Sequence, residues 1–509
     1  MIHRQLPVRE ALLREVTLAS RPLELLRHDI GPQAMRRLAD VREAAVAMLG
    51  ARTVWNINST PRGGGVAELL RSTLPYWRSC AIDARWLVLQ GSSAFFLLTK
   101  HLHNMLHGSW DGVPFGLAER SFFEGVVREA ATEASGTVRP GDVVVLHDPQ
   151  TAGLAPMLKE AGAVVIWRCH IGADRPSESV EQAWKFLLPY VSAADACVFT
   201  RQAFVPPGLD PRRVSTFPPA IDPCSPKNQE LPPGAAQAIL AHCGLAPADG
   251  DDNSRSARDV PLRWGGRRVV RRRCRITCEP KSPRSPRERV VLSLSRWDRV
   301  KDPIGIMHAF AEHVDDPGAR LIIAGPAPVA VADDPEGPLY LDAVKAAWAA
   351  LPERQRRRVD LAVLPMVDLK ENALVVNALQ SQAAVIVKKS IQEGFGLGVT
   401  EALWKARPVV ATRVGGQQDQ IEHRHTGLLV DDPHDLAGFG AAVGELLSQP
   451  REDLEFGAAG RKRVRDRYLA DTEFIHWIDL IRRCDSASSG STANARRPRP
   501  ARFGVGDSP

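Results

Sequence analysis

Residues 383–403 read AAVIVKKSIQEGFGLGVTEAL. An apolar, β-branched run at 383–389 gives way to a loop with three glycines, Gly394, Gly396 and Gly398. A stretch with apolar residues at helical spacing follows. A strand buried on both faces and followed at once by a helix is the repeating unit of a parallel sheet covered by helices. The unit recurs on both sides of this stretch. Runs at 289–295 (RVVLSLS), 320–325 (RLIIAG), 360–365 (DLAVLP) and 407–413 (RPVVATR) read as strands with helical patterns between them. Upstream, 52–58 (RTVWNIN), 84–90 (ARWLVLQ), 142–148 (DVVVLHD), 163–169 (AVVIWRC) and 196–200 (ACVFT) alternate with helical stretches such as 66–77 and 94–106. The expected fold is therefore α/β, with two Rossmann-like, doubly wound domains.

The alternation sets the expected boundaries. Residues 1–50 read as a helical N-terminal extension, 51–223 as the first Rossmann-like domain and 289–461 as the second. Between them, 224–288 is rich in Pro, Gly, Ser and Arg and reads as a linker or flexible insertion, with room for one short helix within 229–245. Residues 462–484 read as a C-terminal helix that can cross back to the first domain, and the polar tail 485–509 as disordered.

Composition narrows the function classes. The 509 residues are 44% hydrophobic and 25% charged, as in ordinary globular proteins. No apolar run approaches the roughly 18 residues of a membrane span, and the N-terminus lacks the pattern of a secretory signal. A cytoplasmic protein with no membrane partner is expected. The eight cysteines are scattered without a CxxC pair, so reduced thiols are expected. Cys274 and Cys278 lack the second pair of a zinc site, and no metal site is expected. The net charge of +7 is concentrated: residues 263–289 hold eleven Lys/Arg against two Asp/Glu, and the remainder is slightly acidic. The excess belongs to one segment, and no base-stacking aromatics accompany it, so no specific nucleic-acid partner is expected. Polyanion binding through that segment is a minor alternative.

In open parallel sheets the loops after the strands carry the ligand chemistry. Residues 58–65 (NSTPRGGG) pair glycines with a helix N-terminus, which suits a diphosphate. Residues 294–303 (LSRWDRVKDP) place Arg296 and Lys301 five apart, able to converge on a phosphate pair and to stabilise a departing nucleoside diphosphate. Residues 390–403 offer Glu393 in the loop and Glu401 one turn into the helix. Each carboxylate can grip a pair of sugar hydroxyls, one on the transferred hexose and one on a ribose. Residues 412–419 (TRVGGQQD) can close over the same cleft. A tight turn, two solvated cations and a helix cap would each explain one of these loops taken singly.

EGFGL…TEALWKARPVVATRVGG, with Glu393 and Glu401, resembles the E-x7-E element of retaining glycosyltransferases of family four, and SRWDRVKDP extends the match. NSTPRGGGVAELL, LLTKHLHNMLHG, LHDPQTAGL, VIWRCHIGAD and IDPCSPKNQEL look like the trehalose glycosyltransferring synthases. The resemblance spans about 50–232 and 289–430. It implies the GT-B fold, two Rossmann-like domains facing a central cleft. It also implies an enzyme that moves glucose from a nucleoside diphosphate glucose to glucose, reversibly forming α,α-trehalose with retention. By that resemblance Gly64 and Gly65 contact the donor, Arg296 and Lys301 hold its phosphates, Glu393 binds its glucose and Glu401 its ribose. Phe395, Gly396 and Leu397 lend backbone amides. His170 lies beside the anomeric centre, and Asp148 and Gln150 reach the acceptor. His101, His103, His107, His423 and His425 are left as surface or packing groups. Gln392 and Gly398 depart from the family pattern, as does the turn at His423–His425.

The implied partners are nucleoside diphosphate glucose as co-substrate, glucose and trehalose. No tightly bound cofactor is implied, and the motifs do not require a divalent metal. Oligomeric state is left open, a homodimer included. The nearest alternatives are a retaining trehalose phosphorylase using inorganic phosphate and another family-four glucosyltransferase.

Overall fold

The computed structural model describes residues 11–62, 64–109, 112, 115–247, 255–277, 285, 288–328 and 336–495, with main chain alone at 450–454 and 487–495. Gly63 of the glycine loop, residues 278–284 and 286–287 of the Arg-rich run (Cys278 among them) and the tail from 496 onward lie outside the described residues.

Seven strands form the first sheet: β1 (Leu13–Glu15), β2 (Thr53–Asn58), β3 (Asp83–Leu89), β4 (Val143–His147), β5 (Val164–Cys169), β6 (Ala196–Phe199) and β7 (Val214–Thr216). Their order is β1-β3-β2-β4-β5-β6-β7, parallel except for β1. Every residue of β2, β4, β5 and β6 is buried. Helices on both faces exclude water from these strands, which is why they read as unbroken apolar runs.

A two-stranded hairpin, β8 (Asp259–Pro261) and β9 (Arg267–Val269), precedes the second sheet. That sheet comprises β10 (Arg275–Thr277), β11 (Arg289–Leu294), β12 (Ala319–Pro326), β13 (Val359–Leu364), β14 (Val385–Lys388), β15 (Val409–Thr412) and β16 (Leu428–Val430). Its order is β10-β13-β12-β11-β14-β15-β16, again parallel except for the first edge strand. The chain reverses its winding direction between β2 and β4 in the first sheet and between β11 and β14 in the second. A crevice opens at the carboxyl ends of the strands at each such point. The two doubly wound sheets are those expected from the alternation.

Three regions differ from the sequence reading. Part of the N-terminal stretch read as helical is the edge strand β1, whose Leu13 is buried while Arg14 and Glu15 face out. The Glu133 carboxylate accepts from the amides of Leu12 and Leu13 at 2.7 and 3.2 Å, satisfying an edge that helix spacing alone did not betray. Within 224–288, expected as a linker with one short helix inside 229–245, the structure holds a helix at Ala235–Cys243 and, beyond that expectation, the hairpin and β10. Arginines of this segment pair with carboxylates far away in sequence: Arg263 with Asp29 at 2.7 Å, Arg268 with Asp368, Arg272 with Glu371. No local pattern reveals such partners, so the composition read as loose chain.

The third is the C-terminus. The helix Pro450–Arg467 lies with the second half, and the next helix, Ala470–Ala495, packs on the first. Phe474 meets Trp77 edge-on at 5.2 Å and Trp477 meets Phe217 at 5.1 Å. The helix continues ten residues beyond 485, where a disordered tail was expected. At the crossing, Ile221 N donates to Tyr468 O at 2.9 Å and Ala470 N to Ile221 O at 3.1 Å. Among the described residues no helix is long and apolar enough to cross a membrane.

Candidate active site

The loops after β11 and β14 flank the crevice of the second sheet. Asp302, at φ 46°, caps the helix Pro303–His313 by accepting from Gly305 N at 2.9 Å, and the buried Lys389 ammonium pairs with the same carboxylate. The loop carrying Arg296 and Lys301 is thereby fixed from beneath. Lys301 Nζ donates to both Glu393 oxygens at 2.7 Å, and Ser390 Oγ lies 3.2 Å from Glu393 Oε2. Arg296 reaches Asp298 at 3.4 Å. Gly396, at φ 86°, adopts a left-handed conformation that starts the helix Leu397–Trp404, and Glu401 is buried within that helix. Glu401 accepts from Lys227 Nζ at 3.0 Å and from Gln380 Nε2 at 2.9 Å, while Lys227 also pairs with Glu68 of the first half. Sequence reasoning missed Lys227, which lies in the segment read as linker.

Across the cleft, β4 and β5 end in His147 and Cys169. Asp148 follows in a left-handed conformation, φ 62°, where a non-glycine residue is strained. Its Oδ1 accepts from the His170 amide at 2.8 Å. The His170 ring stacks beside His147, with Nε2 3.1 Å from His147 Nδ1, and His147 Nε2 lies 3.0 Å from Asn56 Oδ1. His147 is a second residue that the sequence reading passed over. It orients His170 from behind, just as Asn56 orients it.

One cavity of about 870 Å³ lies between these two walls. Gly64, Gly65, Asp148, Gln150 and His170 line it from the first half; Arg296, Lys301, Glu393, Phe395, Gly396, Leu397 and Glu401 line it from the second. The sequence-derived candidates thus share one cleft. His103, His107 and Lys100 also line it, which corrects the reading of His103 and His107 as surface or packing groups. Their helix turns one face inward, a fact that neither residue type nor spacing distinguishes from a buried amphipathic face. Lys388 lines it too, its ammonium filling the space beside Gly398. A side chain at Gly398 would displace that amine, which gives a local reason for the departure from the family pattern. Trp264 of the hairpin reaches the rim and carries the Arg21 guanidinium 3.2 Å over its ring.

The electrostatics follow from burial and charge. Burial pushes the Asp148 carboxyl up to about 7, against the His170 amide and the Arg168 guanidinium. Burial and then Arg168 and His147 hold the His170 imidazole well below its ordinary value, so it is neutral at pH 7. For Glu393 burial pulls the other way, yet Lys301, followed by Lys388, holds it below the ordinary carboxylate value. Glu401 is likewise held low, against burial, by Lys227 and Lys405. Burial brings Lys388 down to about 8. The second wall is a set of ionised pairs, whereas the first presents neutral imidazoles and a carboxyl near its midpoint. Among the described residues no three His, Cys, Asp or Glu side chains cluster as a metal-ion site.

Two family models match the chain: "Trehalose synthase, N-terminal domain" over residues 56–206 and "Glycosyl transferases group 1" over 276–463. A trehalose synthase from Rubrobacter xylanophilus is 33% identical over 84% of this chain and 90% of its own length. One from Pyrococcus horikoshii is 31% identical over 92% and 98%. A trehalose phosphorylase from Pleurotus pulmonarius is more distant, 26% identical over 90% of this chain and 60% of its own. Among solved structures, an α,α-trehalose 6-phosphate synthase from Burkholderia multivorans superposes with a TM-score of 0.62, covering 88% of this chain and all of that one, at 14% identity.

Proposed function

The chain belongs to the trehalose synthase family and is a glycosyltransferase of the GT-B fold, and from that premise we propose that it moves glucose from a nucleoside diphosphate glucose to a second glucose. The product is α,α-trehalose, formed reversibly and with retention at the donor's anomeric carbon. One observation carries the reading. Lys301 and Glu393 meet at 2.7 Å across the reversal point of the second sheet, and they share a cavity with Arg296, His170 and Asp148.

The donor's diphosphate rests on Arg296 and Lys301, and the amides of Gly64, Gly65, Phe395, Gly396 and Leu397 complete its cradle. Glu393 grips the glucosyl hydroxyls and Glu401 those of the ribose. Fixed cations stabilise the charge that builds on the phosphate as the bond to the anomeric carbon breaks. The electron pair of that bond leaves with the phosphate oxygen. The acceptor hydroxyl, positioned by Asp148 and Gln150 beside His170, approaches from the same face and forms the new bond. Its proton passes to the departing phosphate oxygen. The neutral His170 adds no charge of its own next to the positive anomeric carbon. Closure of the two halves keeps water from competing as acceptor.

The donor is a nucleotide sugar in this reading because Glu401, held by Lys227 and Gln380, presents an ionised carboxylate where a ribose would lie. Incubation with trehalose and either a nucleoside diphosphate or inorganic phosphate tests it. Glucose release that needs the nucleotide is expected; release with phosphate alone would mark the phosphorylase reaction.

A further inference from the structure

The helix Ser93–Leu106 has two faces with different tasks. Phe95, Leu102, Met105 and Leu106 are at most 1% exposed and supply its share of the core. Phe96, Lys100, His103 and the capping residue His107 follow one another at spacings of four, three and four, so they lie on one stripe, and all four line the cavity. Core packing does not require that stripe to be polar.

The stripe faces groups of the other half. The His103 and His107 rings lie 4.9 Å apart. His107 is 8% exposed, and among the described residues its buried Nδ1 has no hydrogen-bond partner. A polar atom left unmatched beside a cavity gains a partner when the ring turns to meet a ligand there. Burial, followed by the charge of Lys301, pulls the His107 imidazole down to about 4 against Glu393 and Asp298, so the ring is neutral at pH 7. A neutral imidazole carries one donor and one acceptor, the complement of a sugar hydroxyl. The two strongest charges acting on it, Lys301 and Glu393, are those assigned above to the donor.

We propose that His107 is a sugar-binding residue that hydrogen-bonds a hydroxyl of the hexose held by Glu393, with His103 and Lys100 extending the same wall. The inference rests on the donor reading given above. It makes the first half a reader of the donor's sugar as well as the seat of the acceptor.

The test compares the full-length wild type with His107→Ala and His107→Asn on nucleoside diphosphate glucose and its singly deoxygenated analogues. Calorimetry with the nucleoside diphosphate alone runs alongside. Wild type should discriminate by about tenfold or more against the deoxy donor that lacks the hydroxyl read by His107, as well as against those that lack a hydroxyl held by Glu393, the penalty for leaving a built polar group unpaired. His107→Ala should lose that discrimination at that one position, with a fall in kcat/KM of about tenfold, while affinity for the bare nucleotide is unchanged. His107→Asn, which keeps a donor and an acceptor, should recover part of the loss. A merely structural role would lower all donors together. Unchanged selectivity in both variants overturns the inference, as does an equal loss of bare-nucleotide binding. Should His107→Ala fail to fold, His107→Asn and His107→Phe decide the same question. A wild type that uses no nucleotide sugar removes the donor reading and this inference together; one that does, with selectivity unmoved in the variants, removes this inference only.

Discussion

Gly394 lies against the main-chain carbonyl of His170, so close that a Cβ on the glycine would overlap the oxygen. This is a contact between the two halves at the centre of the cleft. The glycine is required by proximity, since its φ is not left-handed.

Gly394→Ala must therefore push His170 or Glu393 away from its place. A displacement of an ångström in a positioned group can cost about 100-fold in rate. We expect kcat/KM to fall by ~10–100-fold with only a modest change in melting temperature. Steady-state kinetics beside a thermal melt checks this, and full activity would show that the halves do not meet here during turnover.

Lys301→Ala removes the cation proposed to meet the departing phosphate, and an ion-pair partner from Glu393. The first loss should lower kcat on the order of 100-fold. The second has a pH signature. In wild type the Glu393 pKa is lowered in the folded state, so its contribution to stability is present above the unfolded value and fades as pH falls through the folded one. Without Lys301 the burial contribution is less opposed, and the folded pKa rises. The variant should therefore be more destabilised, relative to wild type, at pH 8 than at pH 5. Because Glu393 faces the cavity, we expect about 1–3 kcal/mol at neutral pH, below the cost of breaking a fully buried pair. Melts across pH 5–8 measure it.

Asp148, raised by burial to about 7, should appear in the pH dependence of acceptor use. The carboxylate form accepts hydroxyl protons, so kcat/KM for glucose should rise as pH increases through about 7. Asp148→Asn should flatten that limb at a lower plateau. The stability effect has the opposite sense to that of Glu393. An acid whose folded pKa is raised costs stability increasingly from its unfolded value up to about 7. Asp148→Asn should thus gain in melting temperature, relative to wild type, more at pH 8 than at pH 4. An unchanged pH profile would remove Asp148 from the acceptor site.

Glu401→Gln discriminates the kind of donor. Its carboxylate is proposed to grip the ribose, so the variant should raise the KM for nucleoside diphosphate glucose about tenfold, as for a lost charged hydrogen bond, with kcat less affected. Glucose 1-phosphate, which has no ribose, should bind as before. An equal effect on both ligands would give Glu401 a structural role beside Lys227.

The central strands were legible because helices cover both their faces, leaving unbroken runs such as VVVLH and VVIWRC. The edge strands β1, β7, β10 and β16 were not. Each is three residues long, too short to carry a period, and is fixed by register against its neighbour. Among the site residues, Arg296, Lys301, Glu393 and His170 stand in the segments that follow strands, where chain order and ligand geometry coincide. Lys227 and His107 were missed for a common reason. Glu401, which pairs with Lys227, and the Lys301–Glu393 charges that act on His107 lie far along the chain, and only the folded topology brings them together.

The two passages between the halves, through Ile221 and through Leu469, are laced to each other by main-chain hydrogen bonds instead of running separately. A pair of cords sewn side by side behaves as a strip: it flexes about one line and resists being wrung. Any opening of the jaws must bend both cords together. Such an opening would swing the faces apart and return them along a single arc.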